Sequence, residues 1–149
     1  MKKKKVAIVS DHAGFYLKET LMRYLISNNI ELKDLGCYNY DVSDDYPDFG
    51  HPLAKAVSGG EFDLGISICG TGNGINMTVN KHQGIRSALC WNEEIARLAR
   101  NHNDANICSL PARFINESEA ILIVKAFLEA EFDGGRHKRR IDKIPLRLY

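Results

Sequence analysis

Residues 67–74 read Ser67-Ile68-Cys69-Gly70-Thr71-Gly72-Asn73-Gly74, an apolar run that ends in a cysteine and passes straight into three alternating glycines. The apolar run reaches back to Phe62, long enough for a buried strand, and the residues beyond Gly74 read as a helix to about Asn80. Strand, glycine loop and helix in succession form the joint of a parallel α/β unit. Glycines permit positive φ and close approach, so successive backbone N–H groups can converge on a phosphate or a developing oxyanion near the helix start. That positive end also favours a thiolate at Cys69. An ordinary strand-to-helix turn with a small core cysteine fits the same eight residues, so the flanking sequence must decide.

Outward from this joint, strands and helices alternate along the whole chain, the pattern of a parallel sheet. Val6 to Ser10 is a short buried strand, and Asp11-His12-Ala13-Gly14 turns it into an amphipathic helix with Leu17, Leu21, Leu25 and Ile26 on one face. Ile30 to Leu35 is the second strand. Residues 36–50 hold Asp41, Asp44, Asp45, Pro47 and Asp48, a long turn-rich connection of the kind that is more often functional than idle, before a short helix through Leu53 to Val57. After the glycine loop, Ile85 to Cys90 is the fourth strand. Asn92 caps a helix carrying Ile95, Ala96, Leu98 and Ala99 that ends near Arg100 to Asn103. Ala105 to Leu110 is the fifth strand, and Glu117 to Phe132 is a final helix stopped by Gly134-Gly135. The expected fold is a single-domain, Rossmann-like α/β three-layer sandwich with a mostly parallel five-stranded sheet. One domain spans residues 1–149, with residues 134–149 a basic tail.

Composition narrows the function. A chain of 149 residues suits one core, and a net charge of +1 gives no general attraction to nucleic acid or anionic membranes, although basic residues gather at Lys2 to Lys5 and Arg136 to Arg140. No apolar run approaches the roughly 20 residues of a membrane span, and a cytoplasmic protein is expected. Cys37, Cys69, Cys90 and Cys108 are too dispersed for a disulfide framework or a zinc site. Gly70 to Ile75 reads G-x-G-x-G, without the third glycine of a dinucleotide fingerprint or the Gly-Lys-Ser/Thr of a P-loop.

In open α/β sheets ligands sit at the carboxyl ends of the strands. Asp11 and His12 follow the first strand and Cys69 to Gly74 the third, while His102-Asn103-Asp104 precedes the fifth, so its place at the same rim is less assured. Taken singly, each residue also fits a cap, a helix end or a surface position. Together they supply acid–base groups and an anion cradle for a phosphorylated substrate.

Six segments carry a resemblance to a known family. Ser10-Asp11-His12-Ala13-Gly14, Cys69 to Gly74, Asn80-Lys81, Gly84-Ile85-Arg86, His102-Asn103-Asp104-Ala105-Asn106 and Gly134-Gly135-Arg136-His137 resemble, in this order, ribose-5-phosphate isomerase type B. The wider family includes the galactose-6-phosphate isomerase subunits and isomerases of other sugar phosphates. The resemblance implies interconversion of ribose 5-phosphate and ribulose 5-phosphate through an enediolate, without metal or organic cofactor. It implies Cys69 as the proton-transferring base, since Ile75 stands where other members carry a glutamate. Thr71 and the backbone of Gly70, Gly72, Asn73 and Gly74 would hold the enediolate. His102, assisted by Asp11, would open the sugar ring. Asn103 and Tyr46 would contact sugar hydroxyls, and Arg113, Arg136, Arg140 and His12 the phosphate. It further implies active sites shared between two chains of a homodimer or dimer of dimers. Pro111 replaces a common glycine, and Thr78 and Val79 replace small residues.

Overall fold

The structure, a computed structural model, describes residues 4–147. Five strands, β1 (Lys5–Ser10), β2 (Glu31–Asp34), β3 (Leu64–Cys69), β4 (Ser87–Leu89) and β5 (Ile107–Pro111), form one sheet in the order β2-β1-β3-β5-β4. Every pairing is parallel, one step beyond the mostly parallel sheet expected. The helices are α1 (Phe15–Ser27), α2 (Tyr46–Ser58), α3 (Asn73–Val79), α4 (Glu93–Asn103), α5 (Glu117–Glu129) and α6 (Arg136–Ile141), with a 3-10 turn at His12–Gly14.

The continuous apolar runs of β1 and β3 are buried on both faces, as central parallel strands must be. One face packs Leu21, Leu25, Ile123 and Phe127 of α1 and α5 together with Ala96 and Ala99 of α4. The other packs Leu53, Ala54, Ile75 and Val79 of α2 and α3. Each such Leu, Ile or Phe contributes about 1.5–3 kcal/mol on burial. Asn92 caps α4 by accepting from the Ile95 N–H, and Asn116 with Glu119 forms a reciprocal capping box on α5.

Several boundaries differ from the sequence reading for identifiable reasons. Helix α2 begins at Tyr46, inside the stretch read as connection, because Pro47 occupies its first turn, where the missing N–H costs nothing. Residues after Gly135 form the short helix α6, which packs on α4. Ile26 is 59% exposed, so the apolar face of α1 is narrower than expected. In its place α1 buries Lys18 at 1% exposure, its ammonium held by both Asp34 carboxylate oxygens at 2.8 and 2.9 Å and by the Cys37 carbonyl at 2.5 Å. Pro111 pairs opposite Cys69, and the Ala112 and Arg113 N–H groups donate to the Cys69 and Gly70 carbonyls.

The chain leaves β1 toward β2 on one side and leaves β3 toward β4 on the other. The reversal opens a crevice at the carboxyl ends of β1 and β3, the position where ligands bind in such sheets. Among the described residues no helix is long and apolar enough to cross a membrane.

Candidate active site

The carboxyl rim of the sheet gathers most of the candidate residues. The Asp11 N–H donates to the Ile68 carbonyl at 3.2 Å, tying the end of β1 to that of β3. Gly14 makes this approach possible, since a Cβ there would lie 2.6 Å from Ile68. Asp11 accepts from the Gly14 N–H at 3.1 Å. Burial pushes its carboxyl above the usual carboxylate range, against the Gly14 hydrogen bond and the charge of His12, while Asp44 adds to the rise.

Cys69 ends β3 with its thiol turned toward the start of α3. Burial pushes the thiol up, and the Asp11 charge adds to this. The backbone N–H groups of Ile75, Gly72 and Gly74 act the other way. The convergent amides expected from the glycine spacing are therefore present, but in the free chain burial outweighs them and the thiol stays protonated. Gly72 sits at φ 72° packed against Leu89 and Leu110, a conformation that L side chains rarely adopt.

Tyr46 and Arg113 enclose the loop. A Cβ on Gly74 would lie 2.5 Å from the Tyr46 ring, and one on Gly70 would lie 3.1 Å from the Arg113 guanidinium, so both side chains lie against loop glycines. Thr71 is exposed and accepts from the Asn73 N–H at 3.2 Å. His12 presents its backbone N–H and Nδ1 to one oxygen of Asp44 at 3.0 and 2.6 Å. The carboxyl rim thus holds Asp11, His12, Tyr46, Cys69, Gly70, Thr71, Gly72, Asn73, Gly74 and Arg113.

His102, Asn103, Arg136 and Arg140 lie elsewhere in the same chain. Helix α4 runs back along the sheet, so its last turn arrives at the amino ends of β4 and β5. There Arg86, just before β4, donates to the Asn103 and Asp104 carbonyls and to the Asp104 carboxylate, while Arg100 holds the other Asp104 oxygen at 2.8 Å. His102 stacks on His137 of α6 with centroids 4.3 Å apart and planes 6° from parallel. Loss of water and the positive charge of His102, Arg136 and Arg140 hold His137 below the usual imidazole range. Roughly 17–20 Å, the length of a typical strand, separates this cluster from the carboxyl rim.

Among the described residues two groups bring potential metal ligands within 4.8 Å of one another: His102, Asp133 and His137, and Asp11, His12 and Asp44. Neither is arranged as an ion cage. Parallel stacked imidazoles cannot aim two in-plane lone pairs at one ion, and two arginines flank them. In the other group His12 already spends Nδ1 on Asp44.

The Ribose/Galactose Isomerase family model matches residues 6–144. The chain belongs to the ribose/galactose isomerase family. Ribose-5-phosphate isomerase B of Escherichia coli is 41% identical over 141 residues, covering 95% of this chain and 94% of that protein. A ribose 5-phosphate isomerase of Thermotoga maritima superposes with a TM-score of 0.93 at 48% identity, covering 96% and 98% of the two chains. The Mycoplasma genitalium ribose-5-phosphate isomerase B, solved with bound ribulose 5-phosphate, superposes with a TM-score of 0.91 at 47% identity over 94% and 93%. The high TM-scores extend along the whole chain, so the five-stranded parallel sheet is shared with these isomerase structures. The sequence reading gave no site role to Asp44, Lys18 or Arg86; four aspartates crowd residues 41–48, and nothing in their spacing marks Asp44.

Proposed function

We propose that this chain interconverts ribose 5-phosphate and ribulose 5-phosphate, with Cys69 moving a proton between C1 and C2. The observation that carries the reading is the Cys69 thiol at the crevice between β1 and β3, facing the Gly72, Gly74 and Ile75 N–H groups. The ligand of the Mycoplasma genitalium relative supplies the substrate class. Aldose–ketose isomerisation needs a base at the substrate carbon, donors for the enediolate oxygens and an acid to open the ring. Cys69 as thiolate takes the proton from C2 of the open-chain aldose and returns it to C1, while the hydroxyl proton moves from O2 to O1. The loop amides and the Thr71 hydroxyl stabilise the enediolate charge that develops between. Asp11, raised by burial, stands beside the thiol as a proton carrier.

His102, Asn103, Arg136 and Arg140 lie at the opposite rim of the same chain from Cys69. We propose a two-chain site in which the carboxyl rim of one protomer meets the amino rim of its partner. The second rim supplies His102 for ring opening, Asn103 for sugar hydroxyls, and Arg136 and Arg140 for the phosphate, joined by His12 and Arg113 of the first. Charge complementarity supports this docking, since Asp11, Asp41, Asp44, Asp45 and Asp48 crowd one rim and Arg136, Lys138, Arg139 and Arg140 the other.

The test is a paired assay with ribose 5-phosphate and the six-carbon allose 6-phosphate. Conversion of the pentose with the higher kcat/KM supports the proposal. A hexose preference, or binding without turnover, overturns it.

A further inference from the structure

Within the carboxyl rim, the group with no assigned part is Asp44. Its side chain is 10% exposed, and one oxygen, Oδ1, takes two hydrogen bonds from a single residue, the backbone N–H and Nδ1 of His12. A carboxylate can only accept, so the hydrogen on His12 Nδ1 belongs to this contact. Oδ2 is buried and has no hydrogen-bond partner among the described residues. Burial raises the Cys37 thiol, and the nearby Asp44 charge adds to the rise.

The surroundings hold this arrangement rigid. Tyr40 packs edge-on against the His12 ring at 6.3 Å and 86°, and Tyr40 in turn stacks on Tyr16. The buried Lys18 ammonium grips the Cys37 carbonyl and Asp34, anchoring one end of the segment that delivers Asp44. A buried carboxylate with one oxygen unpartnered is costly to maintain. The first oxygen carries the hydrogen bonds that the side chain makes to described residues, so the useful work of this residue lies in what that oxygen holds.

We infer that Asp44 is the positioning residue of His12, fixing its ring with the hydrogen on Nδ1 and presenting Nε2 outward as the nitrogen that meets the substrate. A free imidazole in water spreads its hydrogen over both nitrogens and its ring over several rotamers, and the nitrogen that carries the hydrogen is set by the bond the other makes. With Nδ1 committed, Nε2 is the single site left to gain or lose a proton. When protonated it donates to an oxyanion while the Asp44 charge balances the ring. The inference deepens the sugar-phosphate reading and rests on it only for the identity of the substrate; the geometry concerns the free chain.

The experiment compares wild type with Asp44→Asn and Asp44→Ala. Nitrogen-15 spectra of the histidine rings, assigned with His12→Gln, report which His12 nitrogen carries the hydrogen in the unliganded protein. Wild type is expected to show Nδ1–H, and Asp44→Ala to shift toward Nε2–H. For ribose 5-phosphate, KM is expected to rise about tenfold or more in Asp44→Ala with kcat changed far less, the loss of one charge-assisted hydrogen bond. Asp44→Asn keeps an acceptor for the His12 backbone N–H and so keeps the segment folded, while removing the charge. It is expected to share the KM defect. Nε2–H in the wild-type chain overturns the inference, as does an unchanged tautomer and KM in the variants. If Asp44→Ala does not fold, the wild-type spectrum and Asp44→Asn still decide. A wild type that shows Nδ1–H yet turns over no ribose 5-phosphate keeps the positioning role and removes the substrate assignment instead.

Discussion

The two rims of the sheet carry opposite kinds of machinery. At the carboxyl rim a buried thiol, a buried carboxyl and convergent amides lie in a crevice made by the topology, with backbone N–H groups aimed at one point. At the amino rim two half-buried stacked histidines and the exposed Arg136 and Arg140 stand on helix ends, beside an ion-pair cluster around Asp104. On the proposed reading the first rim transfers a proton out of water and the second grips an anion, and the contrast between them is that of two complementary halves of one two-chain site.

The largest effect expected is at the carboxyl rim. Cys69→Ala removes the base, and kcat should fall by about 10²–10⁴-fold while the circular dichroism spectrum and urea midpoint stay near wild type. Nearly full activity in this variant would remove the contrast at its root. At the other rim, Arg136→Ala with Arg140→Ala should raise KM for ribose 5-phosphate by about 10–100-fold for each lost charge-assisted contact, with kcat less affected. A pure kcat loss would mean that the amino rim does chemistry.

Acidity distinguishes the rims as well. Because burial raises the Cys69 thiol, the base is mostly protonated at neutral pH, so kcat/KM should climb with pH from neutral into the alkaline range. A profile already flat at pH 7 would mean that the loop amides overcome burial. Stability should show weaker opposite trends. Cys37 and Cys69 hold their protons more tightly folded than unfolded, so their contribution is complete below the unfolded thiol value of about 8.5 and is lost as pH rises past it. His82 and His137 are held below their usual value, so their contribution is present above about 6.5 and is lost on acidification. Urea midpoints at pH 5, 7.5 and 9.5 should therefore peak at the middle value.

The sequence made one rim legible and left the other half-read. Glycine spacing after an apolar strand pointed to Cys69 and its amides because local backbone chemistry alone specifies such a loop. The place of His102 depends on the direction of α4, a property of the whole sheet that no local spacing encodes. Helix α6 escaped because Arg136 to Ile141 shows no apolar period, its single buried residue being Ile141. The burial of Lys18 leaves no signal in helix periodicity, which ranks side chains by polarity. Its burial follows from Asp34 and the Cys37 carbonyl, residues remote in sequence. Asp44 was one of four aspartates in a turn, and only its contact with His12 separates it from the others.

Mixing two inactive variants tests the split most directly. Cys69→Ala disables one rim and His102→Ala the other. Once subunits exchange, half the dimers of a symmetric pair carry one of each, and each of these holds one site with both rims intact and one with neither. Activity of the mixture should then recover to about a quarter of wild type, starting from two nearly inactive proteins. A mixture that exchanges subunits yet stays as inactive as its components would contradict the account, because the two rims would then serve the same chain.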